Sequence, residues 1–81
     1  MSFLYKKDII PVDDKTLNEL KSLQIYGAYF FITLFIRDCK KDPLERSFLE
    51  AIFSHHFSMH VINVSRIFNY LEDKRLLKFS S

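Results

Sequence analysis

The chain contains one glycine, two prolines, one cysteine and no tryptophan, and each shortage excludes something. Few glycines and prolines leave little of the turn chemistry that many short strands require, which tilts the expectation from all-β folds towards helices. The single glycine, Gly27, lies inside the most apolar segment, so there is no glycine-rich loop to cradle a phosphate. One cysteine, Cys39, cannot form an internal disulfide, and no basic-then-apolar leader opens the chain, which together predict a cytoplasmic protein. Neither sign of charge dominates. Twelve Lys and Arg against ten Asp and Glu give a net charge of +2, too mild to demand an anionic partner. The longest apolar run, IYGAYFFITLFI, is twelve residues, well short of the roughly 20 needed to cross a bilayer, and is expected to be core. Repeats, low-complexity stretches and linkers are also missing, so residues 1–81 read as one domain, near the size at which a single core only just suffices.

What the chain does have is large apolar side chains. Hydrophobic residues make up 48% and aromatics 16%, with nine Phe and four Tyr, which excludes disorder. The charges are unevenly placed. Residues 1–24 balance Lys6, Lys7, Lys15 and Lys21 against Asp8, Asp13, Asp14 and Glu19, and residues 37–50 balance four against four likewise. After position 60, Arg66, Lys74, Arg75 and Lys78 face only Glu72 and Asp73. Attraction to phosphate is therefore expected from the last twenty residues.

The opening SFLYKKDIIPV suits one short strand or an extended arm, closed by its proline. In VDDKTLNELKSL, Asp13 or Asp14 can cap a short helix over 15–23. From Ile25 to Cys39 the β-branched and aromatic content favours a strand, whereas the length favours a buried helix ending in the cations of RDCKK; length decides for a helix, apolar on nearly every face and so placed mid-domain. DPLE predicts a third helix with Asp42 as N-cap, Pro43 at the first position and Glu45 completing a capping box. Its buried stripe is Phe48, Leu49, Ile52 and Phe53, which leaves Arg46, Glu50 and Ser54 for solvent or partners. In a fourth helix Val64, Ile67, Phe68 and Leu71 fall at i, i+3, i+4 and i+7 and form one buried face. That helix begins either at Val64, with Asn63 as cap, or further back, with Ser58 as cap.

Helix, tight connection, helix and the tail LEDKRLLKF resemble the helix-turn-helix core of bacterial winged-helix proteins. Over residues 52–79, Phe53, Phe57, Met59, Val64, Phe68, Leu71, Leu76 and Leu77 fall where that family keeps apolar groups. The upstream TLNELKSLQIYGAYFFITLFIRDCKKDP is similar to the first-helix region of replication-initiator and primosome winged-helix domains, nearest to the amino-terminal domain of DnaD-like proteins. The resemblance implies a mainly α fold, a four-helix winged-helix-like domain with at most one or two short β-strands. Two family glycines are replaced, by Ser58 in the turn and by Arg75 before the last apolar pair. Arg75 is expected to avoid the left-handed backbone that glycine accepts, so the loop into the last strand should differ. Only LLKFSS follows the fourth helix, room for one strand of a wing; SFLYKKDII can pair with it.

In the resembling proteins the start of the fourth helix reads base edges in the major groove. The resemblance thus points to double-stranded DNA as partner, with Asn63, Ser65, Arg66 and Asn69 contacting bases or phosphates and Lys74, Arg75 and Lys78 anchoring the backbone. Val61 and Ile62 can offer only methyl groups, which favours a second reading, a protein-association module without DNA binding. Phe30, Phe31 and Phe35 are too many rings for one small core, so a homodimer through the first two helices or the amino-terminal arm is expected. His55, His56 and His60 match no zinc-site spacing, and Cys39 has no activating neighbour. No metal, cofactor or catalytic activity is expected.

Overall fold

Seven residues at the amino terminus form the middle of a sheet. The computed structural model describes all residues from Met1 to Ser81. In β1 (Phe3–Ile9) the side chain of Leu4 is fully buried, whereas Lys6 and Lys7 face solvent. β1 pairs antiparallel with two later strands, β2 (Leu44–Glu45) and β3 (Leu77–Ser80), giving the order β2-β1-β3. Leu4 stands opposite Leu44 on one side and Phe79 on the other. The register against β3 shifts between Leu4 and Ile9, so β1 bends along its partner. Beyond β2 the edge of β1 is continued by a side chain, as the Lys6 amide donates to Asp42 Oδ1 at 2.9 Å. The sheet thus has three strands, where at most two were expected; the extra one, β2, is two residues long and exists through its pairing with β1.

Four helices cover this sheet: α1 (Asp14–Ser22), α2 (Tyr26–Asp38), α3 (Arg46–Phe57) and α4 (Val61–Asp73). Asp13 caps α1 by accepting from the Thr16 amide at 2.7 Å, and that hydrogen bond holds its carboxyl below the ordinary range. α2 is a helix, as its length predicts, and buries Ala28, Tyr29, Ile32 and Ile36. The Tyr29 hydroxyl donates to the Ile10 carbonyl at 2.8 Å and ties α2 to the end of β1, while burial raises its pKa. α2 does not run through the middle of the domain, however. Only one face packs inward, and Phe30 on the other is 49% exposed.

The third helix starts three residues later than DPLE predicts. Leu44 and Glu45 are drawn into β2, the Arg46 amide donates to Ser2 O at 2.8 Å, and Glu45 becomes the N-cap with its carboxylate accepting from the Ser47 hydroxyl at 2.9 Å and from no backbone amide of the helix. Local capping preference yields here to strand pairing. Leu49 and Phe53 are buried as expected, but Phe48 is 50% exposed and belongs to the surface. α4 begins at Val61, capped by neither Asn63 nor Ser58 but by His60, whose Nδ1 accepts from the Ile62 amide at 3.1 Å. Its Val64, Phe68 and Leu71 are fully buried and Ile67 packs at their margin, completing a core with Leu4, Leu20, Leu44, Leu76 and Leu77.

Scarcity of glycine leaves a mark on three helix ends. Gln24, Ser58 and Arg75 have positive φ of 61°, 50° and 62°. After each, the next amide reaches back five residues: Ile25 to Leu20 O, Met59 to Ser54 O and Leu76 to Leu71 O, each at 3.0 Å. This is the Schellman pattern, ordinarily built on glycine. The expectation that Arg75 avoids the left-handed region is therefore overturned. The closing hydrogen bonds and the burial of Leu71 and Leu76 hold the backbone there despite the side chain. No helix is long and apolar enough to cross a membrane.

Candidate nucleic-acid interface on the fourth helix

With 3.6 residues per turn, burial of Val64, Phe68 and Leu71 turns Ile62, Asn63, Arg66, Asn69 and Asp73 to the outside of α4, and all five are exposed. Asn63 and Arg66 make no side-chain hydrogen bond or ion pair within the chain. Ser65 and Asn69 lie on the flank facing α3 and are already engaged. Arg46 Nη2 donates to Asn69 Oδ1 at 2.7 Å, to Ser65 O at 3.2 Å and to Ser65 Oγ at 3.4 Å.

Arg46 is the hub of that flank. Its side chain is only 18% exposed, and its Nε donates to Glu50 Oε2 at 2.8 Å, one turn along α3. Nη1 lies 3.9 Å from Glu72 Oε1, and the guanidinium stands 4.7 Å from the centre of the Phe79 ring. Glu72 Oε2 in turn accepts from the Phe79 amide at 3.2 Å, joining α4 to β3. One arginine thus binds two helices and an edge strand, with two carboxylates offsetting its charge. Periodicity assigned it to solvent or partners, because nothing in the local sequence shows that β3 returns beside it.

The cations expected to hold phosphates separate in the same way. Lys74 Nζ pairs with Glu19 Oε1 of α1 at 2.7 Å, and the Tyr70 hydroxyl donates to the same oxygen at 2.6 Å. The Lys74 and Tyr70 hydrogen bonds hold Glu19 below its ordinary pKa, and Glu19 raises those of Lys74 and Tyr70. Arg75 and Lys78 are exposed with no carboxylate in ion-pair contact. They line a cleft of about 290 Å³ that also carries Asp8 and Glu72, so its field is mixed. Of the seven residues singled out in the sequence, Asn63, Arg66, Arg75 and Lys78 make no side-chain bond within the chain, whereas Ser65, Asn69 and Lys74 are already engaged by Arg46 and Glu19.

At the start of α4 the surface is apolar. Val61 and Ile62 are 45% and 56% exposed, close in sequence to exposed Phe57 at the end of α3. His56 stacks on Phe31 of α2 with ring centres 4.1 Å apart, so two of the histidines are accounted for by packing and capping. No three His, Cys, Asp or Glu side chains converge where a metal ion could be held. Fold and surface together define a small mixed α/β domain of four helices on a three-stranded antiparallel sheet, with one outward helix face carrying free polar groups. Comparison with protein-family models, curated proteins and solved structures returns no match.

Proposed function

We propose that the chain is a winged-helix-like domain that binds duplex DNA through the outer face of α4, in the control of transcription or replication. The observation that carries this reading is the pair Asn63 and Arg66, both exposed and unengaged on the first two turns of a helix whose opposite face is buried. α3, the left-handed Ser58 and α4 make a tight helix-turn-helix, and the sheet beneath supports β3 where a wing strand would begin. Here β3 finds its antiparallel partner in β1. Asn63 offers a donor and an acceptor to a base edge, Arg66 a forked donor to guanine or phosphate, and Arg75 and Lys78 monodentate phosphate contacts. With three cations neutralising three phosphates, log Kobs should fall with log salt at a slope of about −3.

A second reading, a protein-association module on the same scaffold, is favoured by the exposure of Val61 and Ile62 and by the internal pairing of Lys74. Anisotropy titration of the protein on random duplex and single-stranded DNA at two salt concentrations, beside sizing chromatography, separates them. Salt-sensitive duplex binding supports the first. An assembly indifferent to DNA at low salt overturns it and supports the second.

A further inference from the structure

The sheet turns one face to the helices and the other away from them. Leu4, Leu44 and Phe79 stand opposite one another on the inner face, and all three belong to the core or pack against it. Side chains alternate along a strand, so Phe3, Tyr5 and Lys7 of β1, Glu45 of β2 and Lys78 and Ser80 of β3 project from the outer face. Of the partly buried rings in the chain, Tyr26, Phe31, Phe35, Tyr70 and Phe79 pack against the core, and Phe3 and Tyr5 do not. Between the partners of Leu4 and Ile9, β3 has only Lys78, whereas β1 runs from Tyr5 to Asp8. Tyr5 and Lys7 therefore rise on a bulge, with Lys78 across from them. Lys7 Nζ lies 5.4 Å from the centre of the Tyr5 ring.

We infer that this outer face binds single-stranded nucleic acid, with one base stacked on Phe3, the next on Tyr5, and the adjoining phosphates on Lys7 and Lys78. Rings two residues apart on a strand are separated by about 6.6 Å, roughly twice the 3.4 Å step between bases along a duplex strand. They suit an extended single strand, whose unpaired bases offer open faces, and not a duplex, whose bases are stacked on each other. Charge agrees with this occupant. Lys7 and Lys78 are both exposed with no carboxylate in ion-pair contact. Glu45, the carboxylate on the same face, accepts from the Ser47 hydroxyl at 2.9 Å, and Asp8 lies in the cleft that also holds Arg75. A base laid on Tyr5 displaces the Lys7 ammonium from the ring, and its flexible stem carries it to the neighbouring phosphate. Lysines beside the rings argue against a protein partner, since the centre of a protein interface is depleted in lysine. The surface uses neither Asn63 nor Arg66, and it stands whether or not α4 reads a duplex.

The test is anisotropy of labelled oligothymidylate and oligouridylate, each about ten nucleotides long, titrated with the full chain at low salt. Binding of either supports the inference, and the tighter of the two distinguishes DNA from RNA as the strand. Phe3→Ala and Tyr5→Ala should each weaken that binding by about 5–100-fold, with far-UV circular dichroism unchanged and duplex binding left as in the parent. Phe30→Ala, which removes an exposed ring from α2, should leave single-strand binding intact. Lys7→Ala should make the log–log salt slope shallower by about 0.7, the single-strand value for one phosphate. The chain has no tryptophan, so Tyr5→Trp places a lone indole on the sheet, and its emission should be quenched as oligothymidylate is added. That variant keeps a ring in place and reads stacking even where an alanine variant fails to fold. A parent that leaves both oligonucleotides unbound at low salt overturns the inference and turns the face over to a protein partner. Folded alanine variants that bind like the parent overturn it too, as does an indole whose emission the oligonucleotide leaves unchanged.

Discussion

The guanidinium of Arg46 on α3 donates to Asn69 Oδ1 on α4 at 2.7 Å, and this bond decides which side of α4 is available to a ligand. Asn69 and Ser65 are thereby structural residues, and Arg46→Leu should unfold more easily than the parent. Glu50 and Glu72 would lose their common cation in a partly buried setting, a loss of about 2 kcal/mol. Arg46→Lys should recover only part of it, since an ammonium cannot reproduce the fork that reaches Glu50 and Asn69 together. Urea titration of the three proteins measures the difference.

The left-handed residues make an opposite prediction. Glycine at position 24, 58 or 75 relieves the steric cost of a side chain at positive φ, at the expense of a more flexible unfolded chain. Gln24→Gly, Ser58→Gly and Arg75→Gly should each raise stability by about 0.5–1 kcal/mol, additively, because the three sites share no side-chain partner. Thermal unfolding tests this directly. Arg75→Gly should at the same time weaken DNA binding, which separates the role of its backbone from that of its charge.

The Glu19, Tyr70 and Lys74 group sets a pH window. Glu19, held below its ordinary value of 4.5 by Lys74 and Tyr70, contributes stability that is present above 4.5 and lost as pH falls through its lowered pKa. Tyr70 and Lys74, raised by Glu19 above 10.0 and 10.5, contribute stability that is complete below those values and lost as pH rises through the raised ones. Glu19→Gln should therefore flatten both limbs of a Tm-against-pH curve. On the acid side a residual slope should persist from Asp13, whose carboxyl is lowered by the Thr16 amide.

Leu4 tests the architecture. It is fully buried at the centre of the sheet between Leu44 and Phe79, so Leu4→Ala should cost about 2–5 kcal/mol. For a domain of 81 residues that is a large share of the total. Circular dichroism of this variant should show loss of helix as well as strand, since α3 and α4 pack on the sheet that Leu4 anchors.

What the sequence discloses follows from the range of the forces involved. Periodicity reports burial along one helix, so the inward face of α4 is readable from Val64, Phe68 and Leu71, whereas α2, apolar on nearly every side, gives no such signal and its one buried face of Ala28, Tyr29, Ile32 and Ile36 is set by what packs against it. Caps are local too, and of the two candidates Asp13 and Asp14 it is Asp13 that caps α1. The start of α3 is misread because its capping signal competes with β1, forty residues away in sequence. Arg46 and the Glu19 to Lys74 pair are invisible for the same reason: both join segments that only the sheet brings together. Arg75 shows the remaining limit. A backbone preference of about 1 kcal/mol is outweighed by a helix end whose hydrogen bonds and buried leucines are already fixed.

The proposal for α4 rests on Arg66 being free and Lys74 being occupied. The most direct measurement is the salt dependence of duplex binding for the parent, Arg66→Ala and Lys74→Ala. Arg66→Ala should weaken binding and make the log–log slope shallower by about 0.9, the release of one phosphate's counterion, while Lys74→Ala leaves the slope unchanged. If Arg66→Ala binds duplex with the parent's affinity and slope, α4 does not enter the groove and the account fails.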